Sequence, residues 1–536
     1  MGISWICFIA SWLIVAFGQP AWIPLFAPVA ACLGYALFWK SALSSKRPFL
    51  LSLVWFVGVQ AVHLSWMTET EYMGPFILIV YALLLLGMGL QFALLTWLIC
   101  KVKPLTLSAC AALAGLWVFL EWSRLLPCTG FTWNPAGLAL TASNFSLQAA
   151  SLFGIYGLSF WVIFANLSAL SAAVSRTKKA TVIWAAAALL PFVFGAFQQQ
   201  RKPYYSKETL SAVLVQPSLF PNERDFFPDQ PEKWVPPLDQ WARILGYIEK
   251  SADQKKIELI VLPECAIPFS AYWAIYPLDL IETIWTKRFG AEAAQRDFPP
   301  LGEKTSKKID GQWRASNAFW LQALSNHYGC EVIAGMDDAD ERKRYNAAFH
   351  FKPQTKEIDR YEKRVLVPVG EYVPLRKWTS LSRWIGEQFG ISDSFNPGTE
   401  AKIFHGRVLI GVSICMEETY SSIIRESCSR GANLLVNLSN DGWFPHSRLA
   451  RQHFDLGIIR AVENGVPSLR ACSTGVTGGV DCFGRTLAVS AENEAGALRL
   501  DVPMGNIHTA YSIWGDSGIF IISGICLAGF FLRRLI

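Results

Sequence analysis

Val408-Leu409-Ile410-Gly411-Val412-Ser413-Ile414-Cys415-Met416-Glu417-Glu418 is an apolar run that ends in a cysteine and two acids. A short aliphatic run of this kind reads as a buried strand, here over 408–413. Residues 418–430 that follow read as a helix. Cys415 then lies at a strand-to-helix junction, where the free N–H groups of a helix N-terminus stabilise a thiolate and can hold an oxyanion. Similar runs recur at 211–216, 257–262, 331–335 and 432–438, and helical stretches at 239–250, 317–328 and 446–464 lie between or after them. Alternation of strands and helices predicts a layered α/β domain over 204–508, whose site gathers at strand carboxyl ends.

Two further segments place ionisable residues at such ends. Leu262-Pro263-Glu264-Cys265-Ala266-Ile267-Pro268 follows one predicted strand, and Tyr361-Glu362-Lys363-Arg364 leads into Leu366-Val367-Pro368-Val369-Gly370-Glu371-Tyr372-Val373-Pro374. A thiolate attacks acyl carbon readily but needs a base and later a proton donor. Glu264 can supply both. Lys363 can lower the thiol pKa and stabilise a tetrahedral oxyanion, while Glu371 and Glu417 can orient that lysine. Singly, each has an ordinary reading: Cys415 as a small core hydrophobe, Glu264 as a turn cap, Lys363 as a surface charge. The stretch Asn437-Leu438-Ser439-Asn440-Asp441-Gly442-Trp443-Phe444 also reads as a turn-rich loop.

Outside this domain the chain is apolar. Of 536 residues 52% are hydrophobic and 17% charged, against about 25% charged in soluble domains, and the mean hydropathy is +0.29. Apolar runs at 3–17, 22–38, 49–66, 75–100, 105–122, 152–174, 180–197 and 513–532 predict a membrane α-helical bundle of about eight transmembrane helices, seven within 1–200 and one within 513–536. The first run lacks a basic leader and a cleavage site and reads as a retained helix. Lys40, Lys46, Arg47, Lys101, Lys103, Arg176, Lys178, Lys179, Arg533 and Arg534 follow alternate runs. By the positive-inside rule both termini are cytoplasmic and the domain over 204–508 lies outside, which in a bacterium is the periplasmic side of the inner membrane. The net charge of +6 sits beside apolar runs rather than on one patch, which argues against nucleic acid. The 12 cysteines show no spacing for zinc, and no metal or cofactor is implied. Segments 269–313 and 375–395 mix Trp273, Trp285, Trp378 and Trp384 with Lys and Arg, a composition that suits either a membrane–water interface or a packed insertion.

Together, PE-x-AIP, Y-x-K-x-x-LVP-x-GEYVP, Cys-x-Glu after a strand, and NLSND-x-WF with a downstream QH and R-x-x-E-N-G-x-P resemble the nitrilase superfamily and, within it, the apolipoprotein N-acyltransferase family. The resemblance covers nearly the whole chain. It implies an αββα nitrilase sandwich and a two-step reaction. An acyl chain passes from a phospholipid, typically phosphatidylethanolamine, to a cysteine as a thioester, then to the α-amine of a diacylglyceryl-cysteine apolipoprotein. It implies Glu264 as general base, Lys363 as oxyanion stabiliser, Cys415 as nucleophile, Glu371 and Glu417 as supporting carboxylates, the Met416 backbone N–H as an oxyanion donor, and Trp234 as a substrate-contacting arm residue. Met416 stands where the family commonly has Tyr, and Cys265 where it often has Thr. A membrane-anchored amidase that uses water would share the motifs but not need so many helices. A transporter or scaffold would place charges at mid-membrane and would not need a complete Glu/Lys/Cys set. Lipid-anchored substrates predict a site that opens toward the bilayer.

Overall fold

The computed structural model describes residues 5–204, 208–252, 256–302, 304–339, 343–391 and 393–535. Ile3 and Ser4 of the first predicted helix lie outside them. The chain divides into two compact units, 1–202 with 446–465 and 507–536, and 203–445 with 466–506.

The first unit is helical. Among the described residues, five helices are long and apolar enough to cross a membrane: Pro24–Ala42, Ile77–Lys101, Ala150–Ser175, Lys178–Gln198 and Asp516–Arg533. Trp5–Phe17 and Pro48–His63 are shorter apolar helices, and Leu107–Trp122 has 16 residues. Of the expected spans of about eight helices, five thus reach crossing length in the described residues, because a helix rises 1.5 Å per residue and the hydrocarbon core is about 30 Å thick. Pro24–Ala42 contains a π-helical turn at Ala30–Gly34, which frees backbone carbonyls. Asn166 satisfies them: its Nδ2 donates to Ala30 O at 3.2 Å and Ala31 O at 2.7 Å, while its Oδ1 accepts from Ala36 N at 3.1 Å. An apolar medium offers no water for such groups, so a side chain must serve. Helix Leu449–Asn464 belongs to this unit as well. Its Gln452 donates to His63 O at 2.8 Å, and its Glu463 accepts from Ile155 N at 2.8 Å. The second contact falls just after Phe153 and Gly154, whose non-helical dihedrals kink the long helix.

The second unit holds, among the described residues, two six-stranded sheets. The first runs in the order Gly496–Pro503, Thr209–Gln216, Leu259–Leu262, Glu331–Ala339, Arg344–Phe351, Ile358–Glu362, and the second in the order Thr486–Val489, Gly478–Val480, Ser468–Cys472, Leu434–Ser439, Leu409–Ile414, Ile403–His405. Strand alternation sorts the side chains. Leu210, Ala212 and Leu214 face Val412, Ile414, Val436 and Leu438 across a core shared by both sheets. Val213 and Val215 face the other way, onto Trp241 and Ile244 of helix Pro237–Ala252 and Phe319 and Trp320 of helix Asn317–Tyr328. Ile424 of helix Ser421–Ser429 packs on Leu435 outside the second sheet. The layering is therefore helix, sheet, sheet, helix, and it leaves Glu264, Lys363 and Cys415 just beyond the ends of Leu259–Leu262, Ile358–Glu362 and Leu409–Ile414.

The two aromatic-and-basic segments part company. Within 269–313 a small three-stranded sheet forms from Tyr276–Pro277, Gln312–Ala315 and Ser306–Ile309, and Trp285 is 0% exposed, with Nε1 donating to Asp297 Oδ2 at 3.0 Å. In 375–395, Trp378, just before helix Thr379–Gln388, and Trp384, within it, stay exposed. Trp285→Ala is expected to cost about 3–5 kcal/mol, and Trp378→Ala less than about 0.5 kcal/mol. Urea unfolding of the detergent-solubilised protein, followed by circular dichroism, checks both; equal losses would show that Trp285 is not part of a core.

Candidate active site

Lys363 is the hub of the site. It follows strand Ile358–Glu362, its N–H donates to Asn346 O at 2.8 Å, and its carbonyl accepts from Gly398 N at 2.8 Å. The side chain is 1% exposed, and its Nζ donates to Glu264 Oε1 at 3.0 Å and Glu371 Oε1 at 2.9 Å. Burial opposes the ammonium, but Glu264 and Glu371, with Cys415, outweigh it and hold its pKa well above the ordinary lysine value. Asn346 braces the same two carboxylates, its Nδ2 donating at 2.7 Å to Glu264 Oε1 and at 2.7 Å to Glu371 Oε1. Glu371 Oε2 accepts from Val367 N at 2.8 Å, which closes the Pro-bounded turn around Lys363.

Cys415 sits at the strand-to-helix junction with φ +52°. This left-handed conformation is unfavourable for a residue with a Cβ, and strain of this kind clusters at functional positions. Glu417 holds one side of the junction: its carboxylate accepts from Ile414 N at 2.8 Å, Arg364 N at 2.6 Å, Val365 N at 3.1 Å and Tyr361 OH at 3.0 Å. Glu417 therefore ties the strand that leads into Cys415 to the loop that carries Lys363, rather than contacting Lys363 through a hydrogen bond as Glu371 does. Burial and the neighbouring Glu264 push the Cys415 thiol well above its ordinary value, against the pull of Lys363. Burial and Glu264 thus favour the protonated thiol over the thiolate at Cys415.

Cys265, next to Glu264, also has a positive φ, 46°. Its thiol lies 3.6 Å from Asp337 Oδ1, and burial with Asp337 raises its pKa strongly. It lines a separate cleft of about 570 Å³ with Arg224, Asp337, Arg344, Phe269 and Trp273. Trp234 stands outside the Lys363 network: its ring meets Phe226 edge to face at 5.4 Å. Asn346 carries no sequence signal, because Arg344–Phe351 mixes polar and apolar residues without alternation. Asn437, where the expected strand over 432–438 overlaps the turn-rich stretch, lies inside strand Leu434–Ser439.

The family model described as Carbon-nitrogen hydrolase matches residues 230–497, and the one described as Apolipoprotein N-acyltransferase N-terminal domain matches residues 10–168. The chain is 31% identical over 559 residues to the apolipoprotein N-acyltransferase of Chlamydia caviae, covering 99% of this chain and 98% of that protein. It is 26% identical to that of Geobacter metallireducens, covering 95% and 89%. Among solved structures it is similar to Saccharomyces cerevisiae Nit3, of branch 10 of the nitrilase superfamily, at 17% identity and a TM-score of 0.37, covering 59% of this chain and 96% of that one. With both parts of the chain matched and a relative above 30% identity along nearly its whole length, the chain belongs to the apolipoprotein N-acyltransferase family.

Proposed function

We propose that the chain transfers an acyl chain from a phospholipid, phosphatidylethanolamine in the first instance, through a thioester on Cys415 to the N-terminal α-amine of a diacylglyceryl-cysteine apolipoprotein. The observation that carries this reading is the buried Lys363 ammonium held between Glu264 and Glu371 and coupled to the Cys415 thiol. The catalytic domain, 204–508, acts on the periplasmic side of the inner membrane. About eight helices, several of them short, hold it at the outer leaflet. Both termini face the cytoplasm.

In the first half-reaction Glu264 takes the thiol proton as Cys415 Sγ bonds to the ester carbonyl carbon. The oxyanion forms against Lys363 Nζ and the Met416 N–H. Collapse breaks the ester C–O bond, and the proton on Glu264 passes to the departing glycerol oxygen, giving a lysophospholipid and the thioester. In the second, the neutral α-amine attacks the thioester, Glu264 takes a proton from nitrogen, and collapse breaks the C–S bond. Glu264 returns that proton to sulfur, leaving an amide and free Cys415. Trp234 serves as a substrate contact outside this cluster.

Intact mass of the purified protein after incubation with phosphatidylethanolamine, without acceptor, tests the reading. Wild type is expected to gain one acyl chain, Cys415→Ala none, and a diacylated lipopeptide is expected to discharge the adduct. An adduct that water removes as fast as the lipopeptide does would instead identify a hydrolase.

A further inference from the structure

Three parallel strands carry a row of polar residues beneath the nucleophile. In the register of Leu409–Ile414, Leu434–Ser439 and Ser468–Cys472, Ser413 pairs with Asn437 and Asn437 with Arg470. Residues in register on neighbouring strands share a face. This face is opposite the one that Val412, Ile414, Val436, Leu438, Leu469 and Ala471 turn to the intersheet core. Asn437 is 2% and Arg470 3% exposed, so the row is not there for solubility.

The row has a direction. Arg470 Nη1 donates to Asn437 Oδ1 at 3.2 Å, and Nη2 donates to Ser439 Oγ at 3.1 Å and Asp441 Oδ2 at 2.8 Å. Glu418 pairs with the same guanidinium. A guanidinium only donates, so it fixes which end of the Asn437 amide faces it. The amide nitrogen is thereby sent the other way, where Nδ2 donates to Ser413 Oγ at 3.0 Å and to Cys415 O at 3.1 Å. In a trans peptide the C=O and the following N–H point in opposite directions. Anchoring the Cys415 carbonyl therefore sets the direction of the Met416 N–H and polarises it. That N–H lies in the first turn of the short helix Cys415–Thr419, where backbone donors have no intrahelical acceptor.

We propose that Asn437 and Arg470 are positioning residues for acyl transfer: Arg470 orients the Asn437 amide, which locks the Cys415–Met416 peptide so that its N–H meets the developing oxyanion. Glu417 clamps the preceding N–H, of Ile414, and Asn437 clamps the following carbonyl, so the strained Cys415 backbone is held from both sides. The inference rests on the reading of Cys415 as nucleophile and Met416 N–H as oxyanion donor.

The test compares two reactions of one thiol. Acylation by phosphatidylethanolamine passes through an oxyanion, whereas alkylation by iodoacetamide needs only the thiolate. Both are followed at Cys415 by peptide mass spectrometry, which separates it from Cys265. Asn437→Leu keeps the side-chain shape without the donor. It is expected to slow acylation roughly 100-fold, as loss of one oxyanion donor does, with the lipid concentration at half-maximal rate and the alkylation rate unchanged within about threefold. Arg470→Lys keeps the buried charge and loses the fork. It is expected to show the same selective loss, and the double variant to be no slower than Asn437→Leu alone, because residues on one path are not additive. Should Asn437→Leu fail to fold, Arg470→Lys carries the test by the same criteria. Acylation at the wild-type rate, or alkylation that falls in parallel with it, overturns the proposal. A wild-type protein that gains no acyl chain at Cys415 overturns the underlying reading instead, and this proposal with it.

Discussion

Glu264→Gln is expected to slow acylation of Cys415 by about 10²–10⁴-fold, the contribution of a positioned general base, while making the thiol easier to alkylate. The two effects have opposite signs for a stated reason. Glu264 is the largest charge influence that raises the Cys415 pKa after burial itself, so a neutral side chain lets the thiolate form at lower pH. In the proposed mechanism the same substitution removes the group that receives the proton during attack and delivers it to the departing oxygen. Gln retains the oxygen that accepts from Lys363 and Asn346, so the surrounding structure is expected to persist. Time-resolved intact mass measures acylation, and the pH profile of iodoacetamide labelling at Cys415 measures the thiol. If labelling shifts to higher pH, or if acylation is unchanged, Glu264 is not the base.

Lys363→Met is expected to reduce acylation by about 10²–10³-fold, the cost of losing one oxyanion-stabilising group, and to shift alkylation to higher pH. It removes the one influence among Glu264, Lys363, Asp441 and Glu371 that lowers the Cys415 pKa. It also leaves Glu264 and Glu371 without the cation they share, and breaking a buried pair in this way costs about 3–5 kcal/mol. The pH dependence of that loss follows from the sign of the shift. The folded pKa of Lys363 is raised above its ordinary 10.5, so its stabilisation is fully present below the ordinary lysine range and is lost as pH rises through the folded value. Wild type and Lys363→Met should therefore differ in urea midpoint by a similar amount across the neutral range and converge at strongly alkaline pH. Convergence within the neutral range would assign the stabilisation to another group.

What the sequence determined by itself was local. Aliphatic runs bounded by polar residues predict the strands ending near Leu262, Ile414 and Leu438, which appear as Leu259–Leu262, Leu409–Ile414 and Leu434–Ser439. The same runs place Glu264 and Cys415 at strand ends, because burial on both faces leaves only the ends free for polar chemistry. Apolar length likewise announced a membrane-type helical unit, although short helices such as Trp5–Phe17 made the number of runs exceed the number of helices long enough to cross. Tertiary structure decided the rest. Strand Arg344–Phe351 has no clean alternation, because Asn346 and His350 are buried polar residues with specific partners. Trp285 and Trp378 look alike in sequence, yet one is core and the other surface, since burial depends on which elements cover a residue. Lys363 meets Glu264 across 99 residues of chain, and the Glu417 carboxylate meets the Arg364 N–H across 53. The register that lines up Ser413, Asn437 and Arg470 is likewise set by pairing between strands distant in sequence. Composition and periodicity report which face of an element is apolar, whereas these contacts depend on how separate strands stack, and that is fixed only when the sheets close over their shared core.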